Sequence, residues 1–154
     1  MKLRLLCVGK PRRREAVDWH DLYARRLRRL GLSYAADWVD EERAGGRYSD
    51  EHVRQREARR LERELSDAGT VVALDRRGRM PTSEELAQLV ERWATPRGTL
   101  LIGGPLGLDP ALVHRADAVW ALSRLTLPHE LARVVVAEQL YRAMTIRRGM
   151  PYHK

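Results

Sequence analysis

Only one cysteine, Cys7, occurs in the 154 residues, so the chain has no internal disulfide and no second thiol for a zinc site. That usage fits a reducing, cytoplasmic compartment, and Cys7, set inside an apolar run, reads as a core filler. Lysine is scarce too: Lys2, Lys10 and Lys154 are the only three. Nearly all of the positive charge is therefore guanidinium, and 29 Lys+Arg against 21 Asp+Glu leave a formal net charge of +8. A balance of that sign makes nucleic acid the leading class of partner, although an Arg-rich composition also follows from genomic base content. No apolar stretch approaches the roughly 18 residues of a membrane span, and Leu3–Val8 is too short for a signal peptide, so neither membrane insertion nor secretion is expected. No second His or Cys stands at metal-ligand spacing, and no metal is expected.

What is present is the composition of a soluble globular protein, 44% hydrophobic and 32% charged, at the size of one domain spanning 1–154. Leu3 to Val8 reads as a strand ending at Gly9. Trp19, Leu22, Tyr23, Leu27 and Leu30 recur at helical spacing up to Gly31. Tyr34 to Val39 is a weaker strand, and Asp50 to Ala68 a solvated helix with a thin apolar stripe. Thr70 to Asp75 is a compact strand followed by a basic turn, Arg76-Arg77-Gly78-Arg79. Thr82 and Glu85 form a capping box ahead of the next helix. Thr99 to Ile102 and Ala118 to Leu122 are further strands, with a short helix opened by Asp109-Pro110 between them. The last helix runs from Pro128 to Ile146 and is apolar nearly all round, so something beyond its own sheet must cover it, and a second subunit is the natural cover. Alternating short apolar strands and helices predict an α/β domain with a mostly parallel sheet flanked by helices.

Three segments carry candidate chemistry. After a strand, Gly103-Gly104-Pro105-Leu106-Gly107 lets backbone approach a ligand without a side chain between them. The spacing matches neither G-x-G-x-x-G nor a Walker loop, and Pro105 removes an amide, which disfavours a nucleotide triphosphatase; a plain chain reversal is the other reading of this loop. Leu122-Ser123-Arg124-Leu125-Thr126-Leu127-Pro128-His129 alternates hydroxyls with leucines, with Thr126 placed near the helix cap. Ser123 lacks the G-x-S-x-G elbow of a hydrolase. The ending Pro151-Tyr152-His153-Lys154 is either a frayed tail or a defined place where a ring meets a base and a cation meets a phosphate.

Taken together, Leu101 to Leu108, Leu122 to His129 continuing through Arg133-Val134-Val135-Val136-Ala137-Glu138-Gln139-Leu140-Tyr141-Arg142-Ala143, and the ending Pro151-Tyr152-His153 resemble the bacterial ribosomal RNA large subunit methyltransferase H family of the SPOUT class. The resemblance spans the whole chain. It implies a C-terminal trefoil knot, a homodimer, and S-adenosylmethionine-dependent methylation of N3 of a pseudouridine in 23S ribosomal RNA, on assembled ribosomes. It implies cofactor contacts at Leu74, Gly103, Gly104 and Gly107 and along Leu122, Ser123, Arg124, Leu125, Thr126 and Leu127. Catalytic roles fall to Tyr152 and His153, and RNA contacts to His129, Arg142 and Lys154. Lys154 departs from the arginine that relatives often carry, which keeps the charge and loses bidentate phosphate recognition. Two readings compete with the enzyme: a non-catalytic, basic, ribosome-associated RNA-binding or assembly factor, and a small-molecule methyltransferase.

Overall fold

A computed structural model describes residues 1–154. Strands and helices alternate as β1 (Lys2–Val8), α1 (Arg14–Arg29), β2 (Ser33–Val39), α2 (Asp50–Arg63), β3 (Thr70–Arg79), α3 (Ser83–Ala94), β4 (Gly98–Ile102), α4 (Pro110–Arg115), β5 (Ala118–Trp120) and α5 (His129–Arg147). The five strands form one sheet in the order β2-β1-β4-β3-β5, and every pairing is parallel. The α/β architecture read from the alternation is the one observed. No helix is long and apolar enough to cross a membrane.

The strand sequences explain the layers. In a strand, successive side chains point to opposite faces, so a strand buried on both sides needs apolar residues at every position. β1 has them from Leu5 to Val8, while Lys2 and Arg4 keep its first half polar on one face: Leu3, Leu5 and Cys7 join a large core with α1, α3 and α5, and Leu6 and Val8 join a smaller one with α2 and α4. Leu100, Ile102 and Val72 continue the first set, and Leu101 and Ala73 the second. β2 lies at the sheet edge and buries only Tyr34, hence its weak alternation. The capping box at Thr82 is present, with the Thr82 hydroxyl accepting from the Glu85 N–H at 3.2 Å and Glu85 Oε2 accepting from the Thr82 N–H at 2.9 Å.

Five details differ from expectation. α2 stops at Arg63 rather than Ala68, because the chain tightens into three-residue turns, Leu65 N–H to Glu62 and Ala68 N–H to Leu65. β3 runs on to Arg79 where a basic turn was read. Leu74 and Arg79 both register with Trp120, so the residues between them bulge out of the ladder. Gly78 permits this by close approach, since a Cβ there would lie 2.6 Å from the Val119 carbonyl oxygen. β5 ends at Trp120, two residues early, and Pro128, not Thr126, occupies the N-cap of α5. Finally, α5 packs against α1 and α3 as well as the sheet, so its own chain supplies most of its cover. What stays open is a narrower strip on the α1 side, lined by Leu131, Val134 and Val135 with Ala16, Trp19 and Tyr23.

Candidate active site

Parallel sheets place ligands at the carboxyl ends of their strands, and the cavity that the candidate cofactor residues line, the main cavity for the site, lies there. Its walls are Leu74–Arg77 in the bulged part of β3, Ile102–Leu108 after β4, the segment after β5, and Pro128, His129 and Ala132 at the start of α5. Its volume is about 820 Å³, inside the usual range of small-molecule and cofactor sites, roughly 300–1,000 Å³.

The glycine loop is shaped by its own backbone. The Gly107 N–H donates to the Gly104 carbonyl at 2.9 Å, and Gly107 takes the left-handed φ of +80° that closes this turn. A Cβ on Gly103 would lie 2.6 Å from Gly107 C and Leu108 N, so the missing side chain at 103 makes room for the returning loop. Behind Gly104 stands Glu57 of α2, buried, with both carboxylate oxygens within about 3.3 Å of where a Cβ at 104 would sit. Burial pushes the Glu57 carboxyl up from its ordinary value, and the Glu42 N–H, donating to Oε1 at 2.9 Å, offsets part of that. The segment after β5 is held by an internal turn, with the Leu125 N–H donating to Ser123 Oγ at 3.0 Å.

Of the cofactor positions read from the sequence, Leu74, Gly103, Gly104, Gly107, Leu122, Ser123, Leu125, Thr126 and Leu127 all line this cavity, and Arg124 alone does not; its side chain is exposed. His129 lines it as well. The sequence reading missed Asp75, Arg76, Arg77 and Arg54, which also form its wall. Asp75 was findable, since it closes the strand Thr70 to Asp75 read from the sequence, the end at which parallel sheets hold ligands. Its Oδ1 accepts from the Arg77 N–H at 2.9 Å and Nε at 3.0 Å, and its Oδ2 from Arg77 Nη2 at 3.2 Å. The Arg77 side chain, more than any other group, holds the Asp75 carboxyl below its ordinary value.

Tyr152 and His153 stand elsewhere. The Tyr152 hydroxyl donates to Glu138 Oε1 at 3.0 Å, where Arg142 Nη2 also donates at 2.6 Å. Arg142 lies over the Tyr152 ring at 4.9 Å and Tyr141 meets that ring edge-on at 4.8 Å. Burial, and then hydrogen bonding to Tyr23 and Glu138, raises the Tyr152 phenol above its ordinary value. His153 Nε2 is 3.0 Å from Glu84 Oε1, and its Nδ1 is 3.5 Å from Arg142 Nη1. The tail is therefore docked on α5 and α3 of its own chain, with Lys154 exposed. The strip between α1 and α5 joins the two regions: Pro128 and His129 line both it and the main cavity, and Glu138 lies at its other end.

A parallel sheet whose strand ends carry a glycine turn and a hydroxyl-rich loop around one cavity defines a class. Residues 1–153 match the family described as predicted SPOUT methyltransferase. Two solved structures share the fold: a probable methylase family protein from Haemophilus influenzae Rd KW20, at a TM-score of 0.58 and 14% identity over 99% of this chain and 70% of that one, and a probable methyltransferase from Bordetella pertussis Tohama I, at 0.54 and 16% over 92% and 95%. Proteins named ribosomal RNA large subunit methyltransferase H are more similar in sequence. The one from Syntrophotalea carbinolica is 42% identical over 99% of each chain, and the one from Anaeromyxobacter sp. is 43% identical over 100% of each. The chain belongs to the ribosomal RNA large subunit methyltransferase H family of SPOUT methyltransferases.

Proposed function

We propose that this methyltransferase transfers a methyl group from S-adenosylmethionine to N3 of a pseudouridine in 23S ribosomal RNA, acting on assembled ribosomes as a homodimer. The observation that carries the reading is the meeting of the bulge in β3 with the loops after β4 and β5 at one cavity lined by residues that family membership marks for the cofactor. The residues present fit that cofactor. The volume is adequate, Gly103 to Gly107 exposes backbone rather than side chains, and one carboxylate, Asp75, faces a donor that carries positive charge.

When bound, the sulfonium supplies an already activated methyl group. The chain's own residues would be left with positioning and proton handling: they would hold the N3 atom in line with that methyl group and give the N3 proton a way out as the methyl leaves sulfur for nitrogen. Arg54, Arg76 and Arg77 rim the cavity with positive charge suited to RNA phosphate. Tyr152 and His153 are assigned to the substrate side, with His129, Arg142 and Lys154 on the RNA. The groove between α1 and α5 is assigned to a second copy, whose approach would bring further residues up to the cavity mouth at Pro128 and His129. The reading also includes one SPOUT domain over 1–154 and the C-terminal trefoil knot that family membership implies.

Methyl transfer from labelled cofactor to free RNA, purified subunits and assembled ribosomes, run in parallel, tests the reading. Label in large-subunit RNA, strongest on assembled ribosomes and located at N3 of a pseudouridine by nucleoside analysis, is the expected result. Tight ribosome binding with no transfer to any RNA would overturn it in favour of a binding or assembly factor.

A further inference from the structure

The main cavity is lined by 21 residues, and Asp75 is the one acid among them. Around it stand Arg54, Arg76, Arg77 and His129. A cationic ligand in such a cavity has a single place to find a counter-charge. S-adenosylmethionine is such a ligand, with a sulfonium and an ammonium against one carboxylate.

The geometry at Asp75 suits the task. Its side chain is 13% exposed, while that of Arg77 is 66% exposed. A carboxylate offers about four acceptor positions, and Arg77 alone takes three of them, leaving one on Oδ2. The backbone N–H of Arg77 fixes the carboxylate's direction in an Asx-type turn. Its guanidinium is solvent-exposed and reaches the carboxylate from the rim, so a ligand cation can displace it while the turn persists.

We propose that Asp75 is the counter-ion for the positive charge of the cofactor's methionine portion, with the Arg77 guanidinium as the partner that yields to it. This rests on the cofactor reading above and adds to it a binding residue that selects for charge. It also gives the exposed guanidinium a second destination, since Arg77, once displaced, stands at the cavity rim where a phosphate would meet it.

The test is calorimetric titration of wild type and Asp75→Asn with three compounds: S-adenosylmethionine, S-adenosylhomocysteine, and methylthioadenosine, which lacks both cationic groups. Asparagine keeps the size of the side chain and the oxygen that accepts the Arg77 N–H, so the turn survives and the charge goes. S-adenosylmethionine affinity is expected to fall by about tenfold or more, equivalent to about 1.4 kcal/mol, with methylthioadenosine within about a factor of two. A loss confined to S-adenosylmethionine places the sulfonium at Asp75, and a loss shared with S-adenosylhomocysteine places the ammonium there. Asp75→Glu, which restores the charge, should recover part of the preference for S-adenosylmethionine over methylthioadenosine. Unchanged S-adenosylmethionine affinity in Asp75→Asn, or an equal fall for all three compounds, would overturn the assignment of Asp75 alone. Wild-type protein that binds none of the three would overturn the cofactor reading with it.

Discussion

His20 lies inside the molecule, 6% exposed, with Nε2 3.0 Å from the Tyr34 hydroxyl and Nδ1 3.4 Å from Asp21. Burial lowers its pKa from the ordinary 6.5; Asp21 works against that shift, and the Arg133 and Arg28 guanidinium groups add to it. A lowered pKa means that, between the folded value and 6.5, the unfolded chain binds more protons, so the contribution of His20 to stability is complete above 6.5 and is lost as pH falls below it. Chemical denaturation of wild type and His20→Gln should therefore show a stability gap that narrows from about pH 7.5 to about pH 5.5, the span over which an ordinary histidine changes charge. A constant gap would mean that His20 has the same pKa folded and unfolded. None of this was legible in the sequence, where His20 follows Trp19 on a helix without distinction. Arg133 is similar: it is 5% exposed with Nη1 unpartnered, yet in the sequence it is one more arginine beside an apolar run. Burial of such groups depends on which elements pack on which, and one-dimensional periodicity does not carry that. Gly103 was legible in importance and not in cause, because the contact that forbids its Cβ comes from Gly107 and Leu108 after the chain has turned.

At the scale of elements, local chemistry gave most of the answer. The Thr82 capping box, the Asp109 cap that accepts from the Ala111 N–H at 2.9 Å, and the apolar continuity of β1 and β4 are all set by neighbours in sequence, and each appears as read. Where an element's limit is set by a distant partner, as Trp120 fixes the bulge and continuation of β3, the sequence stops short. The C-terminal tail joins both kinds of information. Its aromatic and imidazole are obvious in sequence, but their anchorage on Glu138, Arg142 and Glu84 is tertiary. No tail residue lines the main cavity, so deleting Tyr152 to Lys154 should leave cofactor affinity within about a factor of three, under ~1 kcal/mol. If the tail serves the RNA, methylation of ribosomes by the same protein should fall by roughly 100-fold, as when positioning or proton removal is lost. Tyr152→Phe then separates the hydroxyl that Glu138 accepts from the ring that Arg142 and Tyr141 contact. Full transfer by the truncated protein would reduce the tail to a strut between α3 and α5.

Trp19 and Leu131 mark an apolar strip that the chain itself leaves uncovered. α5 is apolar nearly all round, and the fold accounts for most of that by seating it between α1, α3 and the sheet. The remainder is a strip where Trp19 is 55% exposed and Leu131 48% exposed, two large apolar side chains on adjacent helices with Val134 and Val135 between them. Glu130 lines the end of that strip with its charge already engaged: its Oε1 accepts from the Arg12 N–H at 2.6 Å and the Arg13 N–H at 2.8 Å, pinning the loop after β1 to the start of α5. A strip of this kind on a chain of net charge +8 is best covered by something that does not add like charge at close range. A second copy related by a two-fold axis meets that condition by placing apolar strip on apolar strip, with Arg13 facing Glu15, Glu130 and Glu138 among the lining charges. Sedimentation at about micromolar concentration should then report about twice 17.8 kDa, since homodimer interfaces of this apolar type are large, roughly 2,000 Å² or more. Trp19→Glu and Leu131→Glu, each at a side chain that contributes little to the chain's own core, should shift the protein toward 17.8 kDa without loss of the folded state by circular dichroism. Because Pro128 and His129 line both the strip and the main cavity, the monomeric variants should also lose methyl transfer while retaining cofactor binding. A wild-type monomer, or a variant that stays dimeric, would mean that α1 and α5 do not form the subunit contact and that their exposed aromatic and leucine serve another surface.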